Sequence, residues 1–140
     1  MSYIYVDGSC IDNGKDTASA GVGVYFGVDD KRNYSGKVAG AQDANRAELE
    51  AVRKALQLLG SYEEGNERSV FIRTDSQYVI DAVAKAKEAD NQDANGDLIK
   101  EIVEMVASCG FEVVVEKVED HGENLGNKMA HELAYSAAKN

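Results

Sequence analysis

Over the first third of the chain, hydrophobic residues fall in short β-branched and aromatic runs separated by polar, glycine-bearing stretches, a pattern that predicts strands. Tyr3 to Val6 is the first such run. It leads into Asp7-Gly8-Ser9, where glycine and serine predict a turn. After the polar loop Ile11 to Ser19, the segment Ala20 to Phe26 reads as a second strand, and its glycines predict that something packs closely over it. Asp29-Asp30-Lys31-Arg32 predicts a hairpin turn, and Asn33 to Val38 a weaker third strand at an edge. Three such strands make an antiparallel meander.

From Ala44 to Leu59 the period becomes helical. Ala44, Ala47, Ala51, Ala55 and Leu58 lie on one stripe and Leu49, Val52, Leu56 and Leu59 beside it, with Asp43 as N-cap and Gly60 as stop. Val70-Phe71-Ile72 is wholly apolar, which suits a central strand covered on both faces, and it ends at Thr74-Asp75-Ser76. Further helices are expected over Ser76 to Lys87, Asp97 to Ser108 and Leu125 to Ala138, with a polar linker at Glu88 to Asn95 and a strand at Phe111 to Val118. The order βββαβααβα describes an α/β domain, a mixed sheet with helices packed on it.

Composition narrows the class. A chain of 140 residues, 44% hydrophobic, suits a single domain spanning 1–140. Its 15 Lys and Arg stand against 25 Asp and Glu, a net charge of −10, which argues against attachment to nucleic acid or anionic lipid by bulk charge alone. No apolar run approaches the ~20 residues of a membrane span, and the N-terminus lacks the basic and apolar regions of a secretion signal. Cys10 and Cys109 are too far apart in sequence for a disulfide framework or a metal knuckle. A cytoplasmic, reducing location and a monomer are the expectations.

Among so many acids, the informative ones stand where water should be scarce. Glu48 precedes Ala51, Val52 and Ala55 by three, four and seven residues and so shares their apolar face, whereas Glu50 falls with Arg53, Lys54 and Gln57 on the polar face. A boundary acid paired with Arg46 is one reading of Glu48, and a functional carboxylate is the other. Asp7 and Asp75 each follow an apolar strand and precede a small residue, as turn or cap aspartates do. Taken together, two acids at strand ends and one on the inward face of a covering helix could converge. Carboxylates that close require cations, and all-oxygen ligation favours Mg²⁺ or Mn²⁺ over zinc.

Four strings carry a resemblance to type 1 ribonuclease H: Asp7-Gly8-Ser9-Cys10, Asn45-Arg46-Ala47-Glu48-Leu49, Thr74-Asp75-Ser76-Gln77-Tyr78-Val79 and Gly126-Asn127-Lys128-Met129-Ala130. They occur in that family's order and span nearly the whole chain. The resemblance implies an RNase H-like fold, a five-stranded mixed sheet in order 3-2-1-4-5 with helices on both faces. It implies endonucleolytic cleavage of the RNA strand of RNA–DNA hybrids with two Mg²⁺ or Mn²⁺ ions, leaving 5′-phosphate and 3′-hydroxyl ends. Asp7, Glu48 and Asp75 match three of the family's four metal-binding acids.

At the fourth position this chain departs from the family, placing His131 where the motif has Asp. Promoting Glu132 instead would rotate the carboxylate about 100° around the helix. Three readings of His131 stay open: direct metal ligation, a hydrogen bond to a metal-bound water, or mere occupancy of the position. His121, in the polar loop Glu119 to Asn124, matches the family's loop histidine, implicated in proton transfer and product release. Cys10, Asn13, Asn45 and Gln77 match positions lining the groove that senses the 2′-hydroxyl. The chain has no Trp, and Ala84-Lys85-Ala86-Lys87-Glu88-Ala89-Asp90 lacks the basic, Trp-containing protrusion of some relatives. Substrate affinity is then expected to be modest, resting on the ions and on Lys15, Arg46, Arg73 and Lys128. The alternative function is a catalytically weak or silent hybrid-binding domain.

Overall fold

The structure is a computed structural model that describes residues 2–60, 69–86, 94–118 and 125–140. Five strands and four helices follow in the expected order: β1 (Ser2–Ile11), β2 (Ser19–Tyr25), β3 (Tyr34–Lys37), α1 (Ala44–Gly60), β4 (Ser69–Thr74), α2 (Gln77–Lys85), α3 (Gly96–Ser108), β5 (Glu112–Lys117) and α4 (Leu125–Ala138). They form one mixed sheet in the order β3-β2-β1-β4-β5. β1 and β2 and then β2 and β3 pair antiparallel, while β1 with β4 and β4 with β5 pair parallel.

The helix signals hold closely. Asp43 Oδ2 accepts from Arg46 N at 3.0 Å and caps α1, Ser76 Oγ accepts from Val79 N at 3.2 Å and caps α2, and α4 spans the expected residues. The core lies on the α1 side of the sheet. Ile4, Val6, Val22, Val24, Val70 and Ile72 are buried there against Leu49, Val52, Leu56 and, from α3, Leu98, Ile99 and Ile102.

On the opposite face α4 lies across β1, β2 and β3. It can do so because β2 presents Gly21 and Gly23 to it. A Cβ on Gly23 would come within 2.6 Å of Ala134 N, so these glycines meet the expectation that something packs closely over them.

Three expectations are corrected. β1 does not stop before Asp7-Gly8-Ser9; it continues to Ile11, with Asp7 opposite Gly23, Gly8 opposite Val22 and Ser9 opposite Gly21 on β2. Antiparallel pairing holds these turn-prone residues extended, and the turn falls in the following loop. β4 is not covered equally on both faces, because Val70, Ile72 and Thr74 are buried while Phe71 and Arg73 are only half-buried. Glu50 is not on a solvated face of α1. It is 7% exposed, with Oε1 2.6 Å from Arg53 Nη2 and Oε2 3.7 Å from Arg46 Nη2. Arg53 continues to Glu101 of α3 at 3.2 Å, so the wide covered arc of α1 includes an ion-paired acid.

Candidate active site

The site forms where the parallel pairing of β1 and β4 ends. Tyr5 pairs with Arg73, the last register pair between these strands, and Asp7 and Asp75 each lie two residues further on. Parallel strands place both C-terminal ends on one edge of the sheet, the edge where open α/β sheets bind ligands. With β4 no longer alongside, the Gly8 N–H is free for side chains. It donates to Glu48 Oε1 and, at 2.9 Å, to Asp7 Oδ1. Glu48 reaches this point because α1 sits directly on Gly8, where a Cβ would lie 2.5 Å from the carbonyl carbon of Ala47.

Asp7, Glu48 and Asp75 therefore converge, each offering a carboxylate oxygen within 4.8 Å of the others. Asp7 is buried and Asp75 exposed, so the cluster opens to solvent on one side. Burial and the facing Asp7 carboxylate push the Glu48 carboxyl up to about 10. The same two causes raise Asp75, against a hydrogen bond from Asn127 that lowers it. Because Ser76 rather than Asp75 caps α2, the Asp75 carboxylate is available to the cluster. Nor does Glu48 pair with Arg46, which turns to Glu50 instead.

His131 joins from α4. Its Nδ1 lies 2.9 Å from Asp7 Oδ2, so the position matched to the fourth acid does face the site, while the imidazole falls outside the mutually close carboxylates. Asn127, one turn earlier and 3% exposed, is a site residue that sequence reasoning named only as part of a string. Its signal was an amide side chain on the helix face that also carries Ala130 and Ala134 against the sheet.

The residues matched to the groove divide into two groups. Cys10, Asn13 and Asn45 gather around the start of α1. Asn13 Oδ1 accepts from Ala44 N at 3.1 Å, tying the β1–β2 loop to the helix, and burial together with the Asp43 charge pushes the Cys10 thiol up. Asn45 is exposed in a groove of about 510 Å³ with Asp43, Arg46, Tyr78 and Asn95. Gln77, at the start of α2, donates to Asp81 at 2.9 Å and accepts from Lys117 Nζ at 2.9 Å, so Lys117 is a second neighbour that sequence reasoning missed. Of the expected cations, Arg73 is taken up by Glu116 at 2.7 Å and by the Tyr5 hydroxyl at 3.1 Å, while Lys15 and Lys128 are exposed. His121 and residues 87–90 of the expected protrusion segment lie outside the described residues.

A model of the RNase H family matches residues 1–139. The chain belongs to the RNase H family. It is 36% identical over 146 residues to the Ribonuclease H of Schizosaccharomyces pombe, an alignment covering 96% of this chain and 52% of that protein. It is 28% identical over 144 residues to Ribonuclease H1 of Mus musculus, covering 97% of this chain and 50% of that one. The chain thus spans about half the length of these relatives. LC11-RNase H1, solved in complex with an RNA/DNA hybrid, superimposes with a TM-score of 0.76 at 21% identity, covering 99% of this chain and 97% of that one. These matches bear out the resemblance carried by the four strings, and the RNase H-like topology is the one expected.

Proposed function

We propose that this RNase H domain is a metal-dependent endonuclease that hydrolyses the RNA strand of RNA–DNA hybrids, leaving 5′-phosphate and 3′-hydroxyl ends. The observation that carries it is the carboxylate cluster. Three acids kept within 4.8 Å, with two of them pushed toward protonation by burial and by the neighbouring Asp7 charge, form an oxygen-rich set that a hard divalent cation satisfies. Asp7, Glu48 and Asp75 are the residues that would hold Mg²⁺ or Mn²⁺. When two such ions are bound, they lower the pKa of a water and stabilise charge on the departing 3′-oxygen.

The chain's own groups orient the rest. Gly8 N–H fixes one oxygen of Asp7 and one of Glu48, Asn127 steadies Asp75, and His131 holds the second Asp7 oxygen. Selection of RNA falls to Asn45 and Gln77 at the starts of α1 and α2 and to Cys10 and Asn13 at the end of β1 and in the loop after it, polar groups that can exchange hydrogen bonds with a 2′-hydroxyl. A weak or silent hybrid-binding domain is the second reading, favoured by an imidazole where a hard oxygen ligand would suit Mg²⁺ better.

Labelled RNA–DNA hybrid, duplex RNA and duplex DNA, each incubated with Mg²⁺ or Mn²⁺, test the proposal. The expected outcome is cleavage of the hybrid's RNA strand alone, lost in Asp7→Asn. Equal cutting of all three duplexes overturns it, and binding without turnover under either ion favours the second reading.

A further inference from the structure

His131 enters the site with its side chain 59% exposed, so no surrounding core fixes its ring. Two contacts do. Nδ1 meets Asp7 Oδ2 at 2.9 Å, and one helical turn later the Tyr135 ring lies over the imidazole, with centroids 6.3 Å apart and planes within 11°. Tyr135 is 45% exposed and in turn carries Lys139 Nζ at 5.0 Å from its ring centroid. Spacing by four residues sets His131 and Tyr135 along one edge of α4, with Lys139 just past its end on the same line, starting at the carboxylates.

We propose that Tyr135 is a positioning residue whose ring holds the His131 imidazole in the plane that presents Nδ1 to Asp7. Its value to the reaction rests on the nuclease reading above. An exposed histidine on a helix samples several staggered rotamers, and a near-parallel aromatic neighbour within about 4.5–7 Å selects one of them. With Nδ1–H as the donor to the Asp7 carboxylate, Nε2 is the ring nitrogen left for a ligand outside the protein. The tyrosine hydroxyl has no part in this, so phenylalanine should serve equally.

The chain has two histidines, so its imidazole Hε1 resonances are few and His131→Ala assigns them. In Tyr135→Leu the His131 resonance is expected to move toward its random-coil position, and in Tyr135→Phe to stay near the wild-type one. Hybrid cleavage by Tyr135→Leu should show kcat reduced about 3- to 10-fold at unchanged KM, be restored in Tyr135→Phe, and show no further loss when added to His131→Ala. An unmoved resonance in Tyr135→Leu overturns the proposal, as does a wild-type kcat in that variant or an equal loss in both backgrounds. Should the wild-type domain cut no hybrid, the nuclease reading fails while the resonances still decide whether Tyr135 sets the ring.

Discussion

At the scale of single residues, the three acids were legible jointly rather than singly: Glu48 interrupts an apolar stripe, while Asp7 and Asp75, each ordinary as a turn or cap aspartate, stand at the ends of apolar runs that one helix covers. Glu50 was misplaced for a complementary reason. A helical wheel assigns faces by hydrophobicity, and a buried acid matched by Arg53 and Arg46 has the composition of a solvated face. Asn127 was named only within its string because an amide on a helix face implies no particular partner until the residues opposite are known. His131 carries the sharpest residue-level prediction. His131→Asp supplies a hard oxygen beside Asp7 and is expected to raise Mg²⁺-dependent hybrid cleavage about tenfold. The same change sets like charges side by side, so the metal-free variant should melt several degrees below wild type by calorimetry.

At the scale of elements, helix boundaries were legible to within a residue or two because caps and stops are local. Strand β1 was not, since its continuation through Asp7-Gly8-Ser9 depends on β2 lying alongside, which no local signal encodes. The seating of α1 on β1 is the element-level determinant of the site. Gly8→Ala would force the Ala47 backbone away and is expected to cost about 2–3 kcal/mol, together with a large loss of kcat as Glu48 withdraws. Ser76→Ala is the contrasting case. Losing the α2 cap should cost about 1 kcal/mol in a urea melt while leaving kcat within twofold, because the Ser76 hydroxyl is turned to the Val79 N–H.

At the scale of the whole molecule, the crowded carboxylates set the pH response of the metal-free domain. The Glu48 carboxyl, ordinarily near 4.5, titrates at about 10 in the fold, so the native state keeps a proton that the unfolded chain releases. That stabilisation is complete below pH 4.5 and is lost as pH rises toward 10. Metal-free melting temperature should therefore fall across this window. Glu48→Gln should flatten the slope, and saturating Mg²⁺ should restore stability to the wild type alone. Net charge of −10 leads to a second expectation. With Arg73 and Arg46 engaged by acids among the described residues, hybrid binding should release few counterions. The log–log dependence of affinity on salt should have a slope of magnitude below about 3; a slope of 6 or more would show a basic contact surface.

The register between β1 and β4 has one more consequence. Side chains along a strand alternate sides, so Asp7 faces α4 and His131 only while an even number of positions from Tyr3 is kept. Inserting one residue between Tyr3 and Val6 would preserve every amino acid of the site yet turn the aspartate toward the core. The site thus has a parity as well as a composition, and a frame slip of one position would break it as surely as removing the acid.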